Sequence, residues 1–272
     1  MAKIWFITGV SRGFGRLWAE AALERGDSVA ATARDVATLA PLVENYGERV
    51  LPIALDVTDR AADVAAVAAA HARFGRLDIV INNAGYGHFG AVEELGEAEA
   101  RAQFETNFFG ALWITQAALP FLRAQRSGHI IQVSSIGGIC AFSNIGIYHA
   151  SKWALEGLSE SLAQEVAPFG IKVTLVEPGG FSTDWSGPSA KHSTQTPAYE
   201  PAREARRVLR SANPQADPAG SVKAILKLVD AGEPPLRLLL GSNAVRLANE
   251  VYPKRLAVWK EWEALSIAAD RP

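Results

Sequence analysis

The chain has 272 residues, of which 49% are hydrophobic and 21% charged, and its formal net charge is −2. This length suits one large α/β domain with ample material for a core, and the lack of a basic excess argues against nucleic acid as a partner. The single cysteine, Cys140, excludes an intramolecular disulfide, and no apolar stretch reaches the roughly 18 residues of a membrane span, so we expect a cytoplasmic protein without a membrane partner.

Short β-rich runs alternate with longer helical patterns along the first two-thirds of the chain. The predicted strands cover residues 3–8, 28–33, 50–55, 77–81, 129–134 and 171–177. The predicted helices cover residues 14–25, 36–46, 60–74, 98–125 and 148–167. Continuous apolar pairs such as Ile130-Ile131 favour strands buried on both faces, as in a parallel sheet. The pattern predicts a single-domain Rossmann-type α/β fold over residues 1–272, a doubly wound parallel sheet with helices on both faces.

The character of the sequence changes after Glu177. Residues 179–218 are rich in Ser, Pro, Gly and Thr, with an Ala- and Arg-rich helical stretch near 202–209. A loop of this length in a compact domain predicts a substrate loop or lid; a poorly ordered surface excursion is the alternative. A helix near 219–231, a strand at 236–240 and a C-terminal helical extension at 242–272 follow. Trp259 and Trp262 of that extension suit internal packing or an oligomer contact.

A glycine-rich turn of the form T-G-x-x-x-G-x-G joins the first strand to the first helix at residues 8–15. Glycine permits tight turning and close backbone approach, so the following helix N-terminus can hold a pyrophosphate on its free N–H groups. The spacing differs from the common G-x-G-x-x-G fingerprint, and a glycine cluster alone is a weak indication. Its position at the first crossover strengthens it. The candidate cofactor-binding residues of this turn are Gly9, Ser11, Arg12, Gly13, Phe14 and Gly15.

The end of the second strand indicates which nucleotide is bound. An acidic residue there binds a ribose diol, whereas an arginine accommodates a 2′-phosphate. Arg34 follows Ala33 directly and Asp35 comes next. Arg12 and Arg34 can together clasp a phosphate dianion, while Asp35 suits the cap of the helix that begins at Val36. The predicted cofactor is therefore NADP(H); two solvated surface arginines are the alternative.

Tyr148 and Lys152 are four residues apart at the start of a predicted helix, which places them on one face. A nearby ammonium group favours the phenolate, so we expect Lys152 to lower the pKa of Tyr148 toward a useful range for acid–base catalysis. Ser134 and Ser135 end the fifth strand, at the active edge of an open α/β sheet, where a hydroxyl can bind a substrate oxygen. A Y-x-x-x-K pattern alone is weak, but the combination with a serine and a glycine-rich turn is strong.

These motifs, in this order, resemble the short-chain dehydrogenase/reductase family over about residues 3–185. The resemblance implies that Tyr148 is the acid/base and that Ser135, rather than Ser134, orients the substrate. It implies that Lys152 binds the nicotinamide ribose and lowers the pKa of the tyrosine. Asn107 would hold a water molecule in a proton relay.

The resemblance also extends the cofactor site along the sheet edge. Asp56 and Val57 would contact adenine, and the cleft would be lined by Asn83, Ala84 and Gly85. The nicotinamide end would be formed by Pro178, Gly179, Phe181 and Thr183. Arg12 and Arg34 match the NADP-preferring pattern of the family, and the detailed motif resembles its hydroxysteroid and retinol dehydrogenase-like branch.

Aromatic residues near these motifs suggest an apolar substrate pocket. Tyr86, Phe142 and Trp185 are candidates, with core packing as an equal alternative. His88 and His129, like His149, lack metal-like spacing with carboxylates and are expected to be structural or surface residues, so we predict no metal site.

The predicted function is NADPH-dependent transfer of hydride between the cofactor and a carbonyl or secondary alcohol of a moderately hydrophobic small molecule. Two alternatives remain open: a non-catalytic NADP(H)-binding regulator, and an NADP-dependent epimerase or dehydratase. The long helices predicted at 98–125 and 148–167 resemble those that pair family members, so a homodimer or homotetramer is expected.

Overall fold

A seven-stranded parallel sheet forms the centre of the computed structural model, which describes residues 2–187, 189–213 and 215–270. The strands of the sheet are β1 (Ile4–Ile7), β2 (Ser28–Ala33), β3 (Val50–Ala54), β4 (Ile79–Asn82), β6 (Gly128–Val133), β7 (Ile171–Pro178) and β9 (Arg237–Leu240). They lie in the order β3-β2-β1-β4-β6-β7-β9, so the order reverses between β1 and β4. Ligands bind in open α/β sheets at the carboxyl ends beside such a reversal. A separate pair consists of β5 (His88–Phe89) and β8 (Lys191–His192).

Helices cover both faces of the sheet. In chain order the α-helices are α1 (Gly13–Glu24), α2 (Ala40–Tyr46), α3 (Arg60–Phe74), α4 (Glu97–Phe104), α5 (Gly110–Gln125), α6 (Gly146–Val166), α7 (Glu200–Ser211), α8 (Ser221–Asp230), α9 (Ser242–Glu261) and α10 (Glu263–Ala268). This arrangement confirms the predicted doubly wound α/β fold.

Two apolar layers hold the sheet between its helices. Trp5 belongs to one layer and its neighbour Phe6 to the other, because successive side chains of a strand point to opposite faces. Trp18 of α1 packs in the first layer and Ile114 of α5 in the second, and both are fully buried. Each such side chain contributes about 1.5–3 kcal/mol through burial. The sheet edge that carries the polar motifs is thereby fixed in place.

The predicted strands all form, with ends shifted by at most two residues. The predicted cap at Asp35 is confirmed, since its carboxylate accepts the Ala37 N–H at 3.0 Å. Asp59 caps α3 in the same way by accepting the N–H groups of Ala61 and Ala62. Helical structure does cover the long stretch predicted at 98–125, but it is not α-helical throughout. A π-helical turn, Glu105–Phe109, separates α4 from α5 and contains Asn107.

The segment predicted as a substrate loop is partly regular. Its β8 pairs with β5, and its α7 covers the stretch expected to be helical. Arg203 of α7 is buried and donates to the Glu94 carboxylate at 2.8 Å and to the Thr196 carbonyl at 2.7 Å. These contacts fasten α7 over the carboxyl edge of the sheet.

The C-terminal helices leave the body of the protein. Ala244 and Ala248 at the start of α9 are buried, but the residues beyond Tyr252 are largely exposed. Trp259 and Trp262 are 66% and 56% exposed, so internal packing within one chain is the wrong reading of these two residues. Within the described parts of the chain, no helix combines the length and apolar character needed to cross a membrane.

Candidate active site

A cavity of about 850 Å³ lies along the carboxyl edge of the sheet, where β1, β2, β4, β6 and β7 end. It is lined by the predicted cofactor and catalytic residues with two exceptions, Gly15 and Asn107, which lie directly behind its wall. The candidate substrate residues Tyr86, Phe142 and Trp185 line it as well. The structure therefore brings the sequence-predicted residues together in one continuous space.

The glycine-rich turn has the close packing expected of a phosphate cradle. A Cβ atom on Gly15 would lie 2.4 Å from the Gly9 carbonyl oxygen and 2.5 Å from the Asn83 amide nitrogen. Gly9 and Gly13 have φ values of +72° and +62°, in the left-handed region that favours glycine. Arg12 precedes α1 without capping it by its side chain, so the first N–H groups of the helix remain available to an anion. The turn fits the pyrophosphate of a dinucleotide.

The two arginines predicted for a 2′-phosphate both line the cavity. Arg34 is exposed, and no ion pair joins it to a carboxylate among the described residues. Arg12 lies 3.7 Å from the Asp184 carboxylate, between guanidinium and carboxylate atoms, so it also contacts the segment after β7. Asp35 is held as a helix cap and Asp56 accepts the N–H and hydroxyl of Thr58. The available cation at the end of β2 fits a phosphate.

Tyr148 and Lys152 occupy the first two turns of α6, and both are 6% exposed. The Ser135 side chain interacts with the Tyr148 hydroxyl and favours its phenolate form. Ser135 also accepts the Gly137 N–H at 2.9 Å, whereas the Ser134 hydroxyl points to Glu156. The Lys152 ammonium lies 5.9 Å from the centre of the tyrosine ring and donates to the Val133 carbonyl at 2.8 Å.

Burial controls the proton affinities of these two groups. It raises the pKa of Tyr148 to about 12, against the opposing effect of the Ser135 side chain. It lowers the pKa of Lys152 to about 8, against the opposing effect of Glu156. The expectation that Lys152 lowers the pKa of Tyr148 is therefore wrong for this structure. Loss of hydration disfavours both the phenolate and the ammonium, and this effect outweighs their attraction.

Asn107 is buried in the π-helical turn, a local widening of a helix that is frequent at functional sites. Its side-chain oxygen accepts the Tyr86 N–H at 3.1 Å. Its amide nitrogen donates to the Tyr86 carbonyl at 3.0 Å and to the Ser151 hydroxyl at 3.3 Å. Both amide hydrogens are thus used by protein groups. The side chain joins the segment after β4 to α6, directly behind Lys152.

His149 has a positioning role that its sequence neighbourhood did not specify. Its Nδ1–H donates to the Gly137 carbonyl at 2.9 Å, and its Nε2 accepts the Phe142 N–H at 3.1 Å. Burial lowers its pKa to about 4. The neutral ring therefore holds the segment between Ser135 and Phe142 against α6. The prediction that the three histidines are structural is confirmed by these contacts and by the hydrogen bonds of His88 to Ser193 and of His129 to Thr174.

Aromatic rings form the far end of the cavity. Trp185 lies over Tyr148 with ring centres 4.8 Å apart and contacts Phe89 at 5.7 Å. Phe142 packs against His149 at 5.4 Å. The sequence reading missed the basic residues of this end, Arg206 and Arg210 of α7 and Arg246 of α9, which line the same cavity.

The chain is similar to known oxidoreductases over its whole length. A family model described as short chain dehydrogenase matches residues 3–194. An oxidoreductase of Botryotinia fuckeliana is 46% identical over 273 residues, which cover 99% of this chain and 100% of that protein.

Solved structures have the same architecture. A short-chain dehydrogenase of Streptomyces avermitilis matches with a TM-score of 0.93 and 42% identity, over 98% of each chain. A short chain dehydrogenase of Burkholderia cenocepacia in complex with NADP matches with a TM-score of 0.77 and 28% identity, over 96% of this chain and 97% of that one.

Proposed function

The chain belongs to the short-chain dehydrogenase family of oxidoreductases, which bind a nicotinamide cofactor, and from that premise we propose that it is an NADP(H)-dependent carbonyl reductase. Its substrate is a carbonyl compound, or in reverse a secondary alcohol, of moderate hydrophobicity. The observation that carries this proposal is that Tyr148, Ser135 and the glycine-rich cradle line one cavity, in which Ser135 interacts with the Tyr148 hydroxyl.

The cofactor supplies the hydride. Gly9, Ser11 and the N-terminus of α1 would hold its pyrophosphate, and Arg12 with Arg34 its 2′-phosphate. Asp56 and Val57 would contact the adenine. The nicotinamide half would lie along residues that line the inner cavity: Asn83, Ala84, Gly85, Pro178, Gly179, Phe181 and Thr183.

The side chains around the substrate carbonyl supply the proton that its oxygen takes up on reduction. Tyr148 donates its hydroxyl proton to the substrate oxygen as negative charge develops there, and Ser135 holds that oxygen by a second hydrogen bond. A tyrosine whose pKa is raised to about 12 is protonated at neutral pH, which suits the reductive direction. Lys152 supplies positive charge and ribose contacts from behind the tyrosine, and Asn107 keeps the Gly85–Tyr86 backbone in place.

Replacement of Tyr148 by Phe tests the proposal. NADPH oxidation is followed with a panel of ketones and aldehydes, and cofactor binding is measured separately by fluorescence. We expect Tyr148→Phe to lower kcat by about 10²–10⁴-fold, as for loss of a general acid, while it still binds NADPH. Tyr46→Phe, which alters a tyrosine remote from the cavity, is the matched control.

Three outcomes would contradict it. Full activity of Tyr148→Phe would remove the acid/base role. NADPH binding without turnover of any carbonyl by the parent protein would favour a regulator, although a regulator has no use for a tyrosine and a serine placed together in the cavity. Conversion of substrate without net cofactor consumption would favour an epimerase or dehydratase.

We also propose a homodimer or homotetramer. The exposed apolar residues of α9 and α10 support this, because large apolar surfaces of this kind are usually covered in an assembly. Sedimentation velocity of the purified protein gives the state directly, and a monomer at micromolar concentration would contradict it.

A further inference from the structure

Arg206 of α7 lines the cavity, and no ion pair joins it to a carboxylate among the described residues. Arg203 pairs with Glu94 and Glu200, and Arg207 pairs with Glu200 and Glu204. The Arg206 guanidinium instead lies 5.1 Å from the centre of the Phe142 ring, as in a cation–π contact.

This guanidinium is half-buried and its charge is uncompensated. Burial and the neighbouring charge of Arg210 lower the pKa of Arg206. A partly desolvated cation without an anion is costly, and a planar guanidinium offers paired N–H donors that match a carboxylate. The site is thus electrostatically prepared for an anion that the protein itself does not provide.

The acidic residues that line this end of the cavity are already engaged. Glu250 binds Arg246 at 2.7 Å, and Asp184 lies 3.7 Å from Arg12. A substrate anion at Arg206 would therefore meet no unpaired carboxylate among the described cavity residues. Positive charge dominates the wall formed by α7.

The position relative to Tyr148 gives the shape of the ligand. Phe142 contacts both Arg206 and His149, and the His149 ring lies 5.8 Å from that of Tyr148. These residues all line the same cavity, so aromatic rings form part of its wall near both Tyr148 and Arg206. A ligand that contacts both ends therefore needs an apolar middle.

We propose that the substrate is a carbonyl compound with a carboxylate at its far end, separated from the carbonyl by an apolar spacer and bound by Arg206. This inference rests on the proposed reductase function and adds its substrate class. Arg206 determines specificity, whereas Tyr148 and Ser135 act on the carbonyl.

Two probes that differ in charge test it: 4-acetylbenzoate and its methyl ester. The parent protein is expected to reduce the acid with the higher kcat/KM. Arg206→Met keeps a long side chain against Phe142 but removes the charge, and it should lower the acid-to-ester ratio of kcat/KM by about tenfold or more, as for loss of a charge-assisted pair. Arg206→Lys should retain part of the preference. Arg207→Met, on the exposed side of the same helix, should leave the ratio as in the parent.

Calorimetry of acid binding to the NADPH-bound protein gives a readout that does not depend on turnover. Arg206→Met should lower the affinity for 4-acetylbenzoate by about tenfold or more. Equal use of acid and ester by the parent, lack of acid binding, or a preference that survives Arg206→Met would overturn the inference. If neither probe is reduced but the acid binds through Arg206, the carboxylate site stands and the reductase proposal loses support.

Discussion

Arg34 and Asp35 are neighbours in the chain, but the structure gives them different surroundings. The Asp35 carboxylate is used by the backbone of the next turn, whereas the Arg34 side chain is exposed at the cavity rim. Arg34→Ala should therefore lower the affinity for NADPH by about tenfold or more, because a charged contact to the 2′-phosphate is lost. It should change the affinity for NADH by less than about threefold. Fluorescence titration with each cofactor measures both dissociation constants.

Arg16→Ala is a suitable control, because Arg16 pairs with Glu20 on α1 and does not line the cavity. Equal weakening of NADPH and NADH by Arg34→Ala would contradict a phosphate contact. So would an unchanged affinity for both.

Residues whose partners are close in sequence were predictable. The caps at Asp35 and Asp59 depend on N–H groups two or three residues away. The contact of Arg206 with Phe142 joins residues 64 positions apart, and no local spacing encodes it. The pKa of Tyr148 was predicted in the wrong direction because the sequence indicates a nearby charge but not the degree of burial.

At the scale of elements, the close packing of α1 on the turn after β1 can be tested at Gly15. Gly15→Ala should lower the free energy of unfolding by about 1–3 kcal/mol through overpacking. It should also lower the affinity for NADPH, because the added Cβ atom displaces the Gly9 carbonyl or the Asn83 amide. Chemical denaturation and cofactor titration measure the two effects.

Gly157→Ala is the matched control. Gly157 lies within α6 and a Cβ there meets no atom within 4 Å, so alanine should raise the free energy of unfolding by about 0.5–1 kcal/mol. A Gly15→Ala variant that is as stable as the parent and binds NADPH as tightly would contradict the cradle.

The strands and the helices followed from hydrophobic periodicity, but the π-helical turn between α4 and α5 did not. This turn replaces i→i+4 by i→i+5 hydrogen bonds for a single turn, a local change that periodicity over a longer window does not resolve. The sequence pattern did not predict the pairing of β5 with β8 either, because each strand has two residues and more than 100 positions separate them in the chain.

For the whole molecule, buried ionisable groups predict a stability maximum near neutral pH. Burial lowers the pKa values of His129 and His149 to about 4. The stability that these neutral histidines contribute is fully present above 6.5, the pKa of histidine in the unfolded chain. It is lost as the pH falls toward 4, by about 3 kcal/mol for each histidine at most. Burial and the charges of Asp59 and Asp56 raise the pKa of Asp63 to about 7, and its contribution is lost as the pH rises through that value.

Asp63→Ala tests the alkaline side of this maximum. Asp63 is fully buried in α3 and neither carboxylate oxygen has a hydrogen-bond partner among the described residues. The variant should raise the free energy of unfolding at pH 8 by about 1–3 kcal/mol and by less at pH 5, as measured by urea denaturation. Asp217→Ala, at an exposed cap, should not show this pH-dependent gain. An equal gain in the free energy of unfolding at pH 5 and pH 8 would contradict the raised pKa of Asp63.

The two walls of the far cavity differ in what they are attached to. The wall with Phe142 is joined through His149 to the helix that carries Tyr148, whereas the wall with Arg206 belongs to α7, which is anchored separately by Arg203. Substitutions in the first wall are therefore expected to disturb the catalytic residues. A library of substitutions at the cavity-facing positions of α7 is expected to change the substrate range and to leave those residues in place.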